Sequence, residues 1–534
     1  MAAATAAAAA PAGQPALPRS AAGEHNPWLI AMVVSLATFM EVLDTTIANV
    51  SLRHIAGGLG ASQEESTWIL TSYLISNAII LPVSGWLATL VGRKRFYMTC
   101  VAMFTGSSFL CALAPNLGTM IFFRVLQGLG GGGLAPTEQS IFADTFPPAQ
   151  RAKAFAFYGV TVIVAPAVGP LLGGWLTDSF SWHWIFLINL PVGVVALALI
   201  WFLVDEPPAV KEDTAQFRRD FQPDWLGFVL VAATFGCLQV VLDRFEQDDG
   251  FASDGILGFF AVFVMSAVAL VWWERQHPQP VFDVRLFKVR SFAAANVVML
   301  LVGFSLFSTT QLIPQLAQTL LHYDALKAGQ SLALGGVAAA LVMPFAGLAA
   351  SKLPPKWLVA AGLAATGLAL LHTSRLTAQI NFWDLSLTRV YQSICLPFLF
   401  VSLTTAGYVG IPADRNNEAS AVINLSRNLG GSIGVAAATT LLSWRVQTHH
   451  ARLAEWTSGL SQRGTDWLHA GGARMQEGAQ ALQQAVQAAQ QAVQAQALLL
   501  SYLDIFWLFG WIALACVPVA FFLKNPPPGA AHGH

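Results

Sequence analysis

Charge is what this sequence has least of. Its 534 residues hold 28 Lys and Arg and 29 Asp and Glu, or 11% charged, where soluble domains carry about 25%. A chain of this length folded in water could not cover its surface with so few charges. Nothing in it is strongly basic, so there is no electrostatic footprint for a nucleic acid. An ordinary soluble enzyme, a disordered chain and a nucleic-acid binder are all excluded. Cysteine is scarce too. Cys100, Cys111, Cys237, Cys395 and Cys516 lie in apolar stretches, and without a CxxC or a His/Cys cluster they read as buried apolar residues, not metal ligands. There is no GxxxxGK[ST] loop, which excludes an ATP-driven pump. No nucleophile–base pair or metal-ligand spacing marks a catalytic centre, and the loops are too short to hold a sensor domain. No catalytic residue, metal or cofactor is expected.

Apolar sequence is what abounds: 55% of residues are hydrophobic and the mean hydropathy is +0.57. A helix crosses the hydrocarbon core with about 20 apolar residues. Fourteen such stretches begin near Trp28, Thr67, Phe96, Gly118, Phe155, Trp184, Trp225, Gly255, Phe292, Gly329, Trp357, Asp384, Ala419 and Leu499. The expectation is an all-α, multi-pass membrane protein with both tails on one side. Residues 1–26 are Ala/Pro-rich without the pattern of a secretory signal, and with 525–534 they read as flexible tails. With the N-terminus inside, most Lys and Arg fall in inner segments, notably Arg93, Lys94 and Arg95. The bias of basic residues toward inner loops then places both termini in the cytoplasm.

The halves echo each other. Gly85–Thr89 has a counterpart in Gly347–Ser351, Arg124–Gln127 in Arg389–Gln392, and Pro148–Arg151 in Pro412–Arg415, in order and at a nearly constant offset. A parallel duplication follows: a six-helix bundle over 27–205, a linker over 206–290 with two extra spans, and a second six-helix bundle over 291–524. The second bundle includes an outer loop at 445–497 that ends in a Gln/Ala run of helical period. That run reads equally as a partner-docking helix, a lid or a solvated spacer. Two such bundles around a midplane site form the architecture of many secondary transporters.

Charges within spans are functional candidates because lipid penalises them. Glu41 and Asp44 are three apart and share a helix face. At 1.5 Å per residue, Asp44 and Arg124 both lie roughly 10 Å from the outer end of their spans, a depth at which they can pair or compete in proton coupling. Burial favours a protonated carboxyl and a nearby guanidinium favours the carboxylate. A fixed structural ion pair is the competing reading. Glu138 reads as a group that attracts cationic substrates or relays protons or, more plainly, as an interfacial carboxylate facing water. Gln127, Gln311, Gln315, Gln392, Asn424 and Arg427 are candidates to line a substrate cavity, or else make interhelical hydrogen bonds. The inner-loop motif Gly85…Gly92-Arg93-Lys94-Arg95 suits a tight turn with a basic cap. Gly128 and Gly130–Gly133 suit close packing. Gly169, Pro170, Gly173 and Gly174 suit a bent, smooth helix face on which the halves rock.

These segments carry a resemblance. Leu43–Asn49, Thr67–Ser72, Gly85–Arg95, Arg124–Gly128, Thr161–Gly174, Trp184–Gly193, Leu242–Arg244 and Asn424–Gly434 together make the chain similar to the fourteen-spanner drug:proton antiporters of the major facilitator superfamily. Within them it resembles the EmrB-like inner-membrane subunits of tripartite pumps. The resemblance implies a major facilitator fold with 14 transmembrane helices, in two six-helix bundles plus a linker pair. It implies proton-gradient-driven export of hydrophobic drug-like compounds across a bacterial inner membrane. An adaptor of EmrA type, an outer-membrane channel of TolC type and the surrounding lipids would be its partners. It assigns coupling to Asp44 and Arg124, and ties the Gly169–Gly174 segment to exporters. A narrow exporter of one metabolite or siderophore is the alternative. Thr89 stands where many members have Asp, so a latch built on that Asp is not expected here.

Overall fold

The computed structural model describes residues 26–206, 208–219, 222–412, 415–457 and 479–524. The expected tails, apart from Asn26, and the middle of the expected outer loop lie outside the described residues. The rest is helical: α1 (Pro27–Val50), α2 (Leu52–Leu59), α3 (Gln63–Ser66), α4 (Trp68–Val91), α5 (Arg93–Ala112), α6 (Leu117–Gly131), α7 (Leu134–Thr145), α8 (Pro148–Ser179), α9 (Trp184–Leu187), α10 (Asn189–Leu203), α11 (Pro208–Arg219), α12 (Trp225–Arg244), α13 (Asp254–Glu274), α14 (Arg290–Thr319), α15 (Ala325–Lys352), α16 (Pro355–Thr373), α17 (Phe382–Gly407), α18 (Asn416–Thr457) and α19 (Ala479–Ala515). Eleven helices among the described residues are long and apolar enough to cross a membrane. The other three expected spans fall on α5, on α6 with α7, and on α18. They are helical, but α6 and α7 are each too short to cross alone, and α5 and α18 are less apolar.

Local chemistry sets the boundaries. Asn26 accepts from the Trp28 N–H ahead of Pro27, which fits a first helical turn because it has no N–H to satisfy. Asn381 and Asp384 close a capping box on α17. Gly92, at φ 95°, makes the sharp turn between α4 and α5. The expected fourth span breaks at Gly132-Gly133. Its glycines replace side-chain packing with backbone contact: a Cβ on Gly130 would sit 2.7 Å from Phe104 N, and one on Gly132 2.8 Å from Asn77 O.

In the first half α1 packs on α8 and α10, and α6 lies between α4 and α5. In the second, α14 packs on α18, and α17 contacts α15 and α16. The halves meet through α4 with α18 and through α8 with α15. The extra hairpin α12–α13 is joined by Thr234 and Ser266 (3.0 Å). Its α12 lies along α4 and also touches α18. Asp243 accepts from Thr71, Arg244 donates to Thr67 Oγ1 (3.1 Å) and lies over the Trp68 ring, and Ser432 of α18 donates to Gln239 Oε1 (3.0 Å).

Three expectations need correction. Gly85 is not in a turn. It lies inside α4 against α18, where an added Cβ would be 2.8 Å from Asn417 O. Gly169 and Gly173 do not form a face between the halves. They share one side of α8, four residues apart, and fit against Thr46 and Ile47 of α1 in the same half. Pro170, about 100° round the helix, is what meets Gly329 of α15, and Gly174 has nothing within 4 Å. The expected loop at 445–497 keeps the helix that its Gln/Ala run suggests, as the start of α19 at Ala479, but its first part is not a loop, since α18 continues to Thr457. Ala and Gln are good helix formers and allow the last span's helix to extend. At 1.5 Å per residue α18 is about 63 Å long, roughly twice a hydrocarbon core.

Candidate functional site

The interior polar residues fall into three groups. The first is in the N-terminal half around Asp44 on α1. Arg124 on α6 donates from Nη1 to Asp44 Oδ2 at 2.6 Å, and the guanidinium is 0% exposed. Gln127 Nε2 (3.0 Å) and Asn189 Nδ2 (2.8 Å) donate to Asp44 Oδ1. Arg124 also donates to Gln127 Oε1 (2.7 Å) and to Ile69 O (3.1 Å), and stacks over Tyr73, 4.5 Å from the ring centroid. Asn189 reaches Ser108, whose hydroxyl donates to Phe186 O. The carboxylate therefore has one charged and two neutral donors from two other helices, α6 and α10, as a buried ion requires. Asp44 and Arg124 stand together as their depths suggest. Gln127, a cavity candidate by sequence, is fully buried in this network.

The second group straddles the halves. Glu41, one turn from Asp44, accepts from Tyr73 OH (3.2 Å) and Asn77 Nδ2 (3.4 Å). Glu138 on α7 accepts from Ser35 and is 0% exposed. Its reading as an interfacial carboxylate facing water is therefore wrong: the break at Gly132-Gly133 starts a second helix that carries Glu138 between α1 and α18. The cation nearest in its electrostatic effect on both carboxylates is Arg427, from α18 of the other half, which attracts them from beyond ion-pair distance. Arg427 Nη1 donates to Tyr158 OH (3.0 Å), and that hydroxyl donates to Asn424 Oδ1 (3.3 Å). Tyr158 also packs on Phe400, and Phe155 stacks on Tyr408, both across the interface.

The third group closes the end that carries Arg93, Lys94 and Arg95. Ser140 donates to Asn417 Oδ1 (2.5 Å), Asn417 Nδ2 to Thr89 Oγ1 (3.1 Å), and Asn416 Nδ2 to Asp144 Oδ1 (3.0 Å). Arg93 pairs with Asp144. Lys94 Nζ donates to Trp201 O (2.8 Å), and Arg95 is exposed. α4, α5 and α7 are thus tied to the start of α18. Thr89, where an Asp latch is missing, makes its cross-half bond as an acceptor of an amide.

The remaining cavity candidates are not gathered with these groups. Gln392 is buried and donates to Thr373 of α16 (3.1 Å), away from Arg427 and Asn424. Gln311 and Gln315 are half-buried along α14. Sequence reasoning missed Tyr73, Asn77, Tyr158 and Asn189 as members of the site. Asn189 was quoted only within a longer motif, and a neutral polar residue in an apolar run carries no charge to single it out.

The sequence profile of the Major Facilitator Superfamily matches residues 34–435. The multidrug export protein EmrB of Haemophilus influenzae is 34% identical over 506 residues, covering 94% of this chain and 97% of that protein. The probable multidrug resistance protein EmrY of Escherichia coli is 36% identical over 428 residues, covering 80% of this chain and 82% of that protein. The crystal structure of the human organic anion transporter MFSD10 aligns with a TM-score of 0.57 at 13% identity, over 92% of this chain and all of that one, a likeness of fold alone. With paired helical halves, an interior lined by buried charges and a profile match across most of its length, the chain belongs to the major facilitator superfamily of membrane transporters.

Proposed function

We propose that the chain is a proton-coupled antiporter that exports hydrophobic toxic compounds across a bacterial inner membrane. The reading has fourteen spans arranged as 27–205, 206–290 and 291–524, with both termini in the cytoplasm and the proton gradient as the only energy source. The observation that carries it is the division among three buried carboxylates. Asp44 is compensated within its own half by Arg124, whereas Glu41 and Glu138 face Arg427 of the other half. Two anions and one cation across a moving interface make its closure depend on protonation. Deprotonated, Glu41 and Glu138 draw Arg427 and hold the halves together. A proton on either weakens that attraction. Asp44 and Arg124 serve the same coupling directly, Asp44 as a carboxylate that takes up and gives up a proton and Arg124 as the charge that competes with that proton. Gln311, Gln315, Gln392, Asn424 and Arg427 are the proposed polar contacts for substrate.

The names of the EmrB and EmrY relatives support a multidrug cargo. The long α18–α19 pair, joined by Asp504 of the last span with His449 (2.9 Å) and Arg445 (3.3 Å), offers at its far ends a place for an adaptor of EmrA type leading to a channel of TolC type. Glu41→Gln and Glu138→Gln in proteoliposomes test the coupling. Gradient-driven export should fall while substrate exchange without a gradient persists. Undiminished gradient-driven export in both variants overturns the assignment.

A further inference from the structure

The second half carries a buried positive charge that nothing among the described residues neutralises. Arg389 on α17 occupies the repeat position of Arg124 and is 6% exposed. Its Nη1 donates to Thr309 Oγ1 (2.7 Å) and its Nη2 to Thr310 Oγ1 (2.8 Å) on α14. Both threonine hydroxyls already donate to backbone carbonyls, of Ser305 and Leu306, so they act here as neutral acceptors only. Among the described residues no carboxylate stands within ion-pair distance of Arg389, and no acidic group contributes to its electrostatic surroundings. Its Nε has no hydrogen-bond partner, and neither has the hydroxyl of Ser393, one turn along the same face. Gly335 lets the α15 backbone close over both, since a Cβ there would lie 2.6 Å from Arg389 Cγ and 2.7 Å from Ser393 Oγ, so an occupant would reach them only when α15 moves off α17.

In the first half the same repeat position is neutralised by Asp44, and Gln127 completes the pair. In the second, Gln392 turns away to Thr373. An unpaired ion is the costliest group a membrane interior can hold, and its persistence points to a counter-charge supplied from outside the chain. We propose that Arg389 is the docking point for the carboxylate of an apolar small molecule, with Ser393 as a second donor. Nε and the adjacent Nη present a planar fork that matches a carboxylate edge. A single compensating charge is needed, so a dianion would leave the pocket as poorly balanced as an empty one. The apolar body would lie along α14, where Thr310, Gln311 and Gln315 are only half-covered. This rests on the export reading in taking the interior as the substrate path.

The test is equilibrium binding of two probes with one apolar body, 1-naphthylacetate and 1-naphthylacetamide, to the purified full chain without a pH gradient. The wild type should bind the carboxylate more tightly than the amide. Arg389→Gln should weaken the carboxylate about tenfold or more and leave the amide within about twofold. Arg389→Lys keeps the charge but not the fork and should weaken the carboxylate selectively, which reads the same contrast if the Gln variant does not fold. A wild type without preference for the carboxylate, or an equal effect of Arg389→Gln on both probes, overturns the proposal and leaves Arg389 a brace between α14 and α17. Because no gradient enters, failure of proton-driven export in the wild type would sink the export reading while charge-selective binding stood.

Discussion

Asp44→Asn separates a coupling pair from a structural one. Asparagine keeps an acceptor for Gln127 and Asn189, which now bond Asp44 Oδ1, but removes the charge opposite Arg124 Nη1. Arg124 is then left with neutral acceptors in a fully buried site. Breaking a buried ion pair by removing one partner costs about 3–5 kcal/mol. The loss of one doubly charged hydrogen bond, about 1.5–3 kcal/mol, plus the uncompensated guanidinium reaches the same range. The double variant Asp44→Asn with Arg124→Gln removes the orphaned charge and should recover most of that stability. Thermal unfolding of the purified chain follows the first quantity, and export driven by a pH gradient in proteoliposomes follows the second. Stability should return in the double variant while gradient-driven export stays lost. If export returns together with stability, the pair is a structural brace and the coupling argument fails.

Other consequences are as definite. Gly85→Ala puts a Cβ into the backbone of Asn417 and Glu418. It should pry α4 from α18 and raise cysteine-labelling rates at the basic end, whereas Gly57→Ala, with nothing within 4 Å, should not. Asn417→Ala removes two cross-half hydrogen bonds worth about 2 kcal/mol in all, a shift of about 30-fold toward opening at that end, readable by distance measurements between spin labels on α7 and α18. Arg244→Ala loses its bonds to Asp248 and Thr67 and its stacking on Trp68. It should loosen α12 from α4 by about 1–2 kcal/mol, seen as faster hydrogen exchange in α12.

The charges that lipid penalises most were the ones legible in the sequence. Asp44 and Arg124 stand out in apolar runs, and helical rise alone places them at one depth. Their neutral partner Gln127 was singled out only as a cavity candidate, and Asn189 and Tyr73 not at all, because an uncharged side chain shows its partner only when folding brings it across the bundle from another segment. Glu138 was misplaced for a backbone reason: a continuous fourth helix would carry it to the surface, and the break at Gly132-Gly133 redirects it inward. The repeat predicted Arg389 as the mate of Arg124. The same offset carries Asp44 to Ser308–Thr309 in a helix without any acidic residue, so the missing counter-charge was legible too, while the bonds from Arg389 to Thr309 and Thr310 come only with the packing of α14 on α17. The helix of the Gln/Ala run was legible from its period, whereas the extension of α18 to Thr457 was not, because the polar residues from Arg445 on add no apolar signal.

The central claim is that proton release and substrate movement share the carboxylates at the interface between the halves. Proton release from the purified protein on adding exported compounds, followed with a pH-sensitive dye across a compound panel, tests it most directly. The account predicts release in the wild type that Glu41→Gln and Glu138→Gln together abolish. An absence of proton movement with every compound the protein exports, or release undiminished in the double variant, would contradict it.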